Sequence, residues 1–320
     1  MIPIISNITG IRADKFDPTT LPSQEGKVFL ITGGHAGIGF ETTRFIVKAG
    51  AKVLMGSRNP DKAKEAIEKL VQEDAALESR LGFYKVDLAS LKQVKQAGLE
   101  ILEKESRLDG IICNAGVMAC PYELTEDGIE VQFQTNHLSH WLLTQVLMPL
   151  LEKTGQQTGH PSRVVNLSSF AHTIISSYPF AKPSFKSLED VNRSFEPKGW
   201  VRYSISKLAN ILSARELNLR SSPHVRAISA HPGFIRSNLW ENTSLRAFTR
   251  VFIPPQDGAL SSVWCATCDE VEEKNMFGEY IIPHARKGHT TAYARDPQLA
   301  ADLFDLSQRL VNEKVGGITA

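Results

Sequence analysis

The chain has 320 residues, 42% of them hydrophobic and 22% charged, with 36 basic against 35 acidic side chains and a formal net charge of +1. That is enough apolar material for one large domain or two smaller ones. The charge is dispersed and nearly balanced, which excludes a field able to gather nucleic acid or an anionic membrane.

Residues 1–25 read as an irregular lead-in rich in Pro, Thr and Asp. They lack the basic start and unbroken apolar core of a secretory signal. No run approaches the ~18 consecutive apolar residues of a membrane span, so the expected location is cytoplasmic. From residue 26, short apolar runs alternate with helical patterns. Strands are expected at 27–32, 51–57, 82–87, 109–114, 162–168, 224–230 and 278–282, and helices near 38–49, 60–73, 90–105, 125–153, 203–220, 258–268 and 297–313. Asn59 can cap the second helix, with Pro60 at its first position and Asp61 at its positive end. The alternation predicts an α/β fold: a single-domain, Rossmann-type, doubly wound parallel sheet of about seven strands over 26–320, with helices on both faces. Two segments interrupt it. Residues 170–202 form a proline-containing insertion. Residues 232–257 are read as a substrate loop, because Phe234, Leu239, Trp240, Phe248 and Phe252 are costly to expose.

The run Thr32-Gly33-Gly34-His35-Ala36-Gly37-Ile38-Gly39 follows the apolar stretch 28–31 and precedes a helical pattern. Strand, glycine turn and helix in that order make a phosphate cradle. Glycines permit the tight turn, and the helix N-terminus offers N–H groups to an anion. The end of the second expected strand selects the dinucleotide. It reads Ser57-Arg58, with no carboxylate before Asp61. A carboxylate would repel a 2′-phosphate, whereas a guanidinium grips it, so NADP(H) is expected, with Arg58 as the fork and His35 and Lys62 adding to it.

A proton-transfer group is read from Tyr-x-x-x-Lys spacing, which places a cation one helical turn from a phenol of ordinary pKa about 10. Tyr178…Lys182 and Tyr203…Lys207 both have it. Pro179 and Pro183 spoil the first as a helix. Tyr203 opens a proline-free helical pattern, so catalysis is assigned to Tyr203 and Lys207. Cys265-Ala-Thr-Cys268 has redox or metal spacing, but no second pair or nearby His completes a zinc site, so buried reduced thiols and no metal are expected. His231 is read as structural.

These motifs, in this order, resemble the short-chain dehydrogenase/reductase superfamily over roughly residues 26–285. Asn136-His-Leu, Asn166-Leu-Ser-Ser-Phe-Ala-His172, Ser206-Lys-Leu-Ala-Asn210 and His231-Pro-Gly look most like its retinol-dehydrogenase-like and WW-domain-oxidoreductase-like branch. The resemblance implies catalytic roles for Ser169, which would hold the substrate oxygen, and Asn136, which would brace a helix bend and a proton relay. It implies that Gly33, His35, Gly37, Ile38, Gly39 and Arg58 bind the cofactor, joined by Tyr203 and Lys207. Asp87 would bind the adenine amino group (a helix cap is a compatible reading), and Asn114 would pack along the cofactor. The Ile235 backbone and Ser237 hydroxyl would hold the nicotinamide amide. Cys113 stands where the family usually has a second Asn. The implied activity is hydride transfer between nicotinamide and a carbonyl or alcohol carbon, and the aromatic loop at 232–257 points to a small, lipophilic substrate, read as an intermediate of a biosynthetic pathway. Pairing into a homodimer or homotetramer is implied through the helices near 125–153 and 203–220. The anchoring helix of many retinol enzymes is absent, so neither retinoid substrate nor membrane is carried over. Two other readings stand beside this one: a catalytically idle NADP-binding sensor, and a nucleotide-sugar epimerase, whose shorter glycine spacing and larger C-terminal region fit poorly.

Overall fold

The strand runs owe their pairing to side chains buried on both faces. In β1 (Val28–Thr32) and β2 (Lys52–Ser57) all but the first residue is buried, which suits a sheet covered on both sides. The computed structural model describes residues 16–196, 199–236 and 252–318. Further strands are β3 (Leu81–Lys85), β4 (Gly110–Cys113), β5 (Ser162–Leu167), β6 (Val225–Ala230), β7 (Tyr280–Ile282) and β8 (Arg286–Lys287). They pair in the order β3-β2-β1-β4-β5-β6-β7-β8. Every neighbour is parallel except the terminal pair β7 and β8. The first seven match the expected runs. The eighth is a two-residue edge strand, too short to carry a periodic signal. Chain order reverses between β1 and β4, and the crevice at such a switch point is where ligands bind in open α/β sheets.

Helices α1 (Gly37–Lys48), α2 (Pro60–Glu73), α3 (Leu91–Lys104), α4 (Ser139–Thr158), α5 (Gly199–Arg220), α6 (Pro255–Thr267) and α7 (Pro297–Val315) cover the sheet. Phe40, Ile46, Leu70 and Trp264 build the core of one face, from α1, α2 and α6. Leu91, Trp141, Leu208 and Leu303 build the other, from α3, α4, α5 and α7. Asn59 caps α2 through the amides of Asp61 and Lys62, with Pro60 at the first position as expected. The lead-in is tied down from residue 16. Phe16 and Leu21 pack on the α1 side, and the fully buried Gln24 donates its backbone N–H to the Ala49 carbonyl.

Three boundaries move. The helix expected from 125 begins at Val131, because residues 124–130 close a turn through a Leu124–Glu130 bridge with Gly128 at φ 74°. Residues 134–138 then form a π-turn before α4, and α4 continues to Thr158. Helix α5 starts at Gly199, which puts Tyr203 one turn inside it rather than at its mouth. Helix α7 packs against both α4 and α5. Trp141 meets Phe304 edge-on at 5.3 Å, and Arg220 lies 4.3 Å over the Phe304 ring. Among the described residues no helix is long and apolar enough to cross a membrane.

Cys113, Cys120, Cys265 and Cys268 are free thiols. Cys265 is wholly enclosed in α6. The buried Arg163 guanidinium donates to the carbonyls of Cys265 (3.4 Å) and Cys268 (2.7 Å), where a cation suits a helix C-terminus. Burial raises both thiols, that of Cys268 to about 11, which disfavours the thiolate in this part of the core.

Candidate active site

The glycine loop joins β1 to α1. Gly33 takes φ +66°, a conformation costly to residues with a Cβ, and a Cβ on Gly39 would stand 2.2 Å from the Gly33 oxygen and 2.5 Å from Asn114 Nδ2. The helix begins at Gly37, with no side chain capping it, so its leading N–H groups are left for an anion. Ile38 lies in the first turn, against the Gly258–Ile235 contact. His35 is half-buried, and its Nδ1 is enclosed with no partner. Burial lowers its pKa, and the charges of Lys62 and Arg58 lower it further, so a neutral imidazole and two cations share one end of the loop.

Asp87 lies two residues past β3 rather than ending it, and accepts from the Ala89 amide at 3.0 Å. Ser90, not Asp87, is the cap of α3. Asn114 supports the loop. Its Nδ2 donates to the Thr32 carbonyl (2.9 Å), and its amide donates to Thr32 Oγ1 (3.0 Å). Cys113 is buried at the end of β4, where burial pushes its thiol up to about 12.

Asn136 sits in the π-turn, a form often found at functional sites. Its Oδ1 accepts from the Val117 amide at 2.8 Å, and its Nδ2 donates to the Val117 carbonyl and to Ser206 Oγ, each at 2.9 Å. A Cβ on Gly116 would stand 2.8 Å from Asn136 Oδ1 and 3.6 Å from Lys207 Nζ, so the asparagine and the lysine flank one glycine.

Ser168 and Ser169 follow β5. Ser168 Oγ donates to the Lys207 carbonyl at 2.7 Å, which is structural. Ser169 Oγ accepts from the Ala171 amide at 3.1 Å and so also caps the 3₁₀ turn Phe170–Ser177. Its hydroxyl stands close enough to the Tyr203 phenol to favour the phenolate. Burial holds that phenol above its ordinary pKa, with the serine contact pulling the other way. Lys207 Nζ donates to the Leu167 carbonyl at 2.9 Å and lies 5.6 Å from the Tyr203 ring centroid. Burial lowers the ammonium to about 8. The alternative pair does not join the site. Tyr178 and Lys182 flank the short 3₁₀ helix Pro179–Ala181, where Lys182 is exposed and Tyr178 packs edge-on to Phe180 at 5.4 Å.

Around the phenol, Met118, Ala171 and Tyr203 form an apolar cluster, packed by Ile174, Trp200, Phe234 and Phe252. Of the expected substrate loop, residues 237–251, and with them Ser237, Leu239, Trp240 and Phe248, lie outside the described residues. Its two ends meet in a parallel bridge between Ile235 and Ile253. His231 Nδ1 accepts from the amides of Phe170 (3.3 Å) and Gly233 (3.4 Å), a structural role as expected.

Sequence reading missed three contributors. Thr32 and His140 link the loop to Asn136. A buried Arg202–Glu130 pair, at 3.1 Å, fixes the turn before Tyr203. The i, i+4 spacing of Asn136 and His140 was the one legible signal among them.

The sequence model of the family described as short chain dehydrogenase matches residues 27–182. The chain is 36% identical to the short-chain dehydrogenase/reductase drtF of Aspergillus calidoustus, over 93% of this chain and 97% of that one. It is also 36% identical to retinol dehydrogenase 14 of Mus musculus, covering 89% and 86%. A crystal structure of an uncharacterized protein from Mycobacterium paratuberculosis superimposes with a TM-score of 0.70 at 30% identity, covering 93% and 98%.

Proposed function

Since the chain belongs to the short-chain dehydrogenase family of oxidoreductases, we propose that it is an NADP(H)-dependent enzyme acting on a lipophilic ketone, aldehyde or alcohol. The convergence of Ser169 and Lys207 on Tyr203 carries this reading. An idle binding module has no need of all three together.

The glycine loop fits a dinucleotide. Gly39 is pressed against the Gly33 carbonyl, the start of α1 is uncapped, and the enclosed His35 Nδ1 has no partner. Arg58, Lys62 and His35 would hold a 2′-phosphate, and NADP(H) rather than NAD(H) follows from cations where a carboxylate would select the unphosphorylated ribose. Once bound, the cofactor would supply or take the hydride, and its oxidised form would bring a positive charge that favours the phenolate.

In reduction Tyr203 donates its proton to the carbonyl oxygen, and in oxidation it takes the proton from the alcohol. Ser169 Oγ holds that oxygen as charge develops on it. The Lys207 ammonium stabilises the phenolate, which burial alone disfavours. Asn136 keeps the Val117 segment and Ser206 in place around the lysine. Met118, Ile174, Trp200, Phe234 and Phe252 offer an apolar wall. Retinol dehydrogenase 14, a relative named for a lipophilic alcohol, is consistent with that chemistry.

The test is a carbonyl panel with NADPH and paired substitutions. Tyr203→Phe should lose ~10²–10⁴-fold in kcat, the worth of a positioned proton donor. Tyr178→Phe should turn over close to wild type. The reverse pattern would overturn the assignment, and tight NADPH binding without turnover of any substrate would favour the sensor.

A further inference from the structure

His140 carries no role in the reading above, yet it touches both halves of the site. Its Nε2 lies 2.8 Å from Thr32 Oγ1, where β1 runs into the glycine loop, and its Nδ1 lies 3.1 Å from the backbone oxygen of Asn136. The ring is enclosed, and burial, with the Lys207 charge nearby, holds it down to about 4 and so neutral at working pH.

The partners assign the protons. A carbonyl oxygen only accepts, so Nδ1 carries the hydrogen and donates to Asn136; in a neutral ring Nε2 is then an acceptor. The Thr32 oxygen already accepts from the amides of Asn114 (3.0 Å) and Ala115 (3.1 Å), and it has one hydrogen to give. That hydrogen has Nε2 at 2.8 Å or the Ile112 carbonyl at 3.5 Å, and the shorter contact takes it. A single ring in a single tautomer thus joins the start of the glycine loop, the turn after β4 and the π-turn that holds Asn136. Serine or threonine at 140 is too short to span both partners, and a lysine or arginine has no acceptor for the Thr32 hydroxyl.

We propose that His140 is a positioning residue that fixes the cofactor loop and the Asn136 turn in one register through two separable hydrogen bonds. The bond to Thr32 governs the grip on the dinucleotide. The bond to Asn136 governs the proton-handling side, and this second half rests on the oxidoreductase reading.

Three substitutions separate the bonds. His140→Asn places an amide near the Nδ1 position and keeps the Asn136 bond. His140→Gln reaches the Nε2 position and keeps the Thr32 bond. His140→Phe fills the ring volume and keeps neither. NADPH affinity is read by nicotinamide fluorescence without turnover, and kcat by carbonyl reduction at saturating NADPH. The NADPH Kd should be about fivefold weaker in H140N than in H140Q, while kcat should be about fivefold lower in H140Q than in H140N, each factor being the worth of one hydrogen bond. H140F should show both losses. Equal losses of affinity and kcat in H140N and H140Q, or a lower melting temperature with neither moved, would overturn the proposal. If H140F fails to fold, the H140N–H140Q pair decides alone. If the wild type reduces no carbonyl, the oxidoreductase reading fails on its own, and the fluorescence titration still decides the Thr32 half.

Discussion

Arg202, the residue before Tyr203, and Glu130 form an ion pair at 3.1 Å between side chains that are 2% and 1% exposed. The same guanidinium donates to the Cys120 carbonyl at 2.7 Å and to the Ser194 carbonyl, and Glu130 accepts from the Phe133 amide at 2.8 Å. One buried pair therefore ties the 120 loop, the insertion and the start of the 131–158 helix to α5, fixing the turn from which Tyr203 projects.

Removing Glu130 leaves the enclosed Arg202 with the half-exposed Glu196 carboxylate, at 2.9 Å, as its remaining counter-charge. Glu130→Ala should therefore destabilise the fold by about 1–3 kcal/mol, the cost of losing a buried charge-assisted contact rather than of an uncompensated ion. Glu130→Gln, which still accepts from Arg202 and Phe133, should cost less than half as much. Urea unfolding at neutral pH checks this, and an unshifted midpoint for Glu130→Ala would show that the pair bears no weight.

Gly39→Ala places a methyl carbon where only 2.2 Å separates it from the Gly33 carbonyl, a backbone atom that cannot step aside without moving the loop. NADPH binding should weaken more than tenfold, with a stability loss of about 1–3 kcal/mol from the forced shift. Equilibrium binding and thermal unfolding on the same sample separate the two effects. Wild-type affinity would mean that the loop does not hold the cofactor.

Arg58 is exposed at the end of β2, and its charge reaches the half-buried His35. Arg58→Asp removes a charge-assisted contact and sets a carboxylate against a 2′-phosphate. Preference for NADPH over NADH should fall about a hundredfold or more, from a contact worth ~1.5–3 kcal/mol plus repulsion. The ratio of kcat/KM values for the two cofactors is the readout, and an unchanged ratio would withdraw the NADP assignment.

What could be read from sequence was local. Apolar runs located the seven longer strands, and in β1 and β5 burial on both faces leaves its mark within five or six residues. Pro179 and Pro183 were enough to separate the Tyr178 pair from Tyr203, since proline acts on its own backbone. The start of the 131–158 helix was misread because Glu130 takes its place through partners at Asn192 and Arg202, more than sixty residues away. His140 escaped for the same reason. Its i, i+4 link to Asn136 is local, but its bond to Thr32 spans 108 residues, and no periodicity encodes that. The covering of α4 and α5 by α7 likewise depends on where the chain's end returns.

Acid should unfold this protein through its buried histidines. Burial holds His137 down to about 3 and His140 and His172 each down to about 4, against 6.5 for a free imidazole. Their folded pKa values are depressed, so the unfolded chain takes up protons first. The stability they contribute is complete above pH 6.5 and is lost as pH falls toward the folded values. At pH 5 each unfolded imidazole has gained about 1.5 units of protonation free energy over its folded counterpart, or about 2 kcal/mol apiece. Urea unfolding should therefore give a stability lower by a few kcal/mol at pH 5 than at pH 7.5, with the raised carboxyls of Glu41 and Glu130 offsetting part of the loss. His137→Gln, whose amide can still reach Ser307 Oγ, 3.2 Å from the imidazole in the wild type, should recover about a third of the histidines' share of that difference. A stability that stays level between pH 7.5 and 5 would mean that these rings are protonated as easily in the fold as out of it.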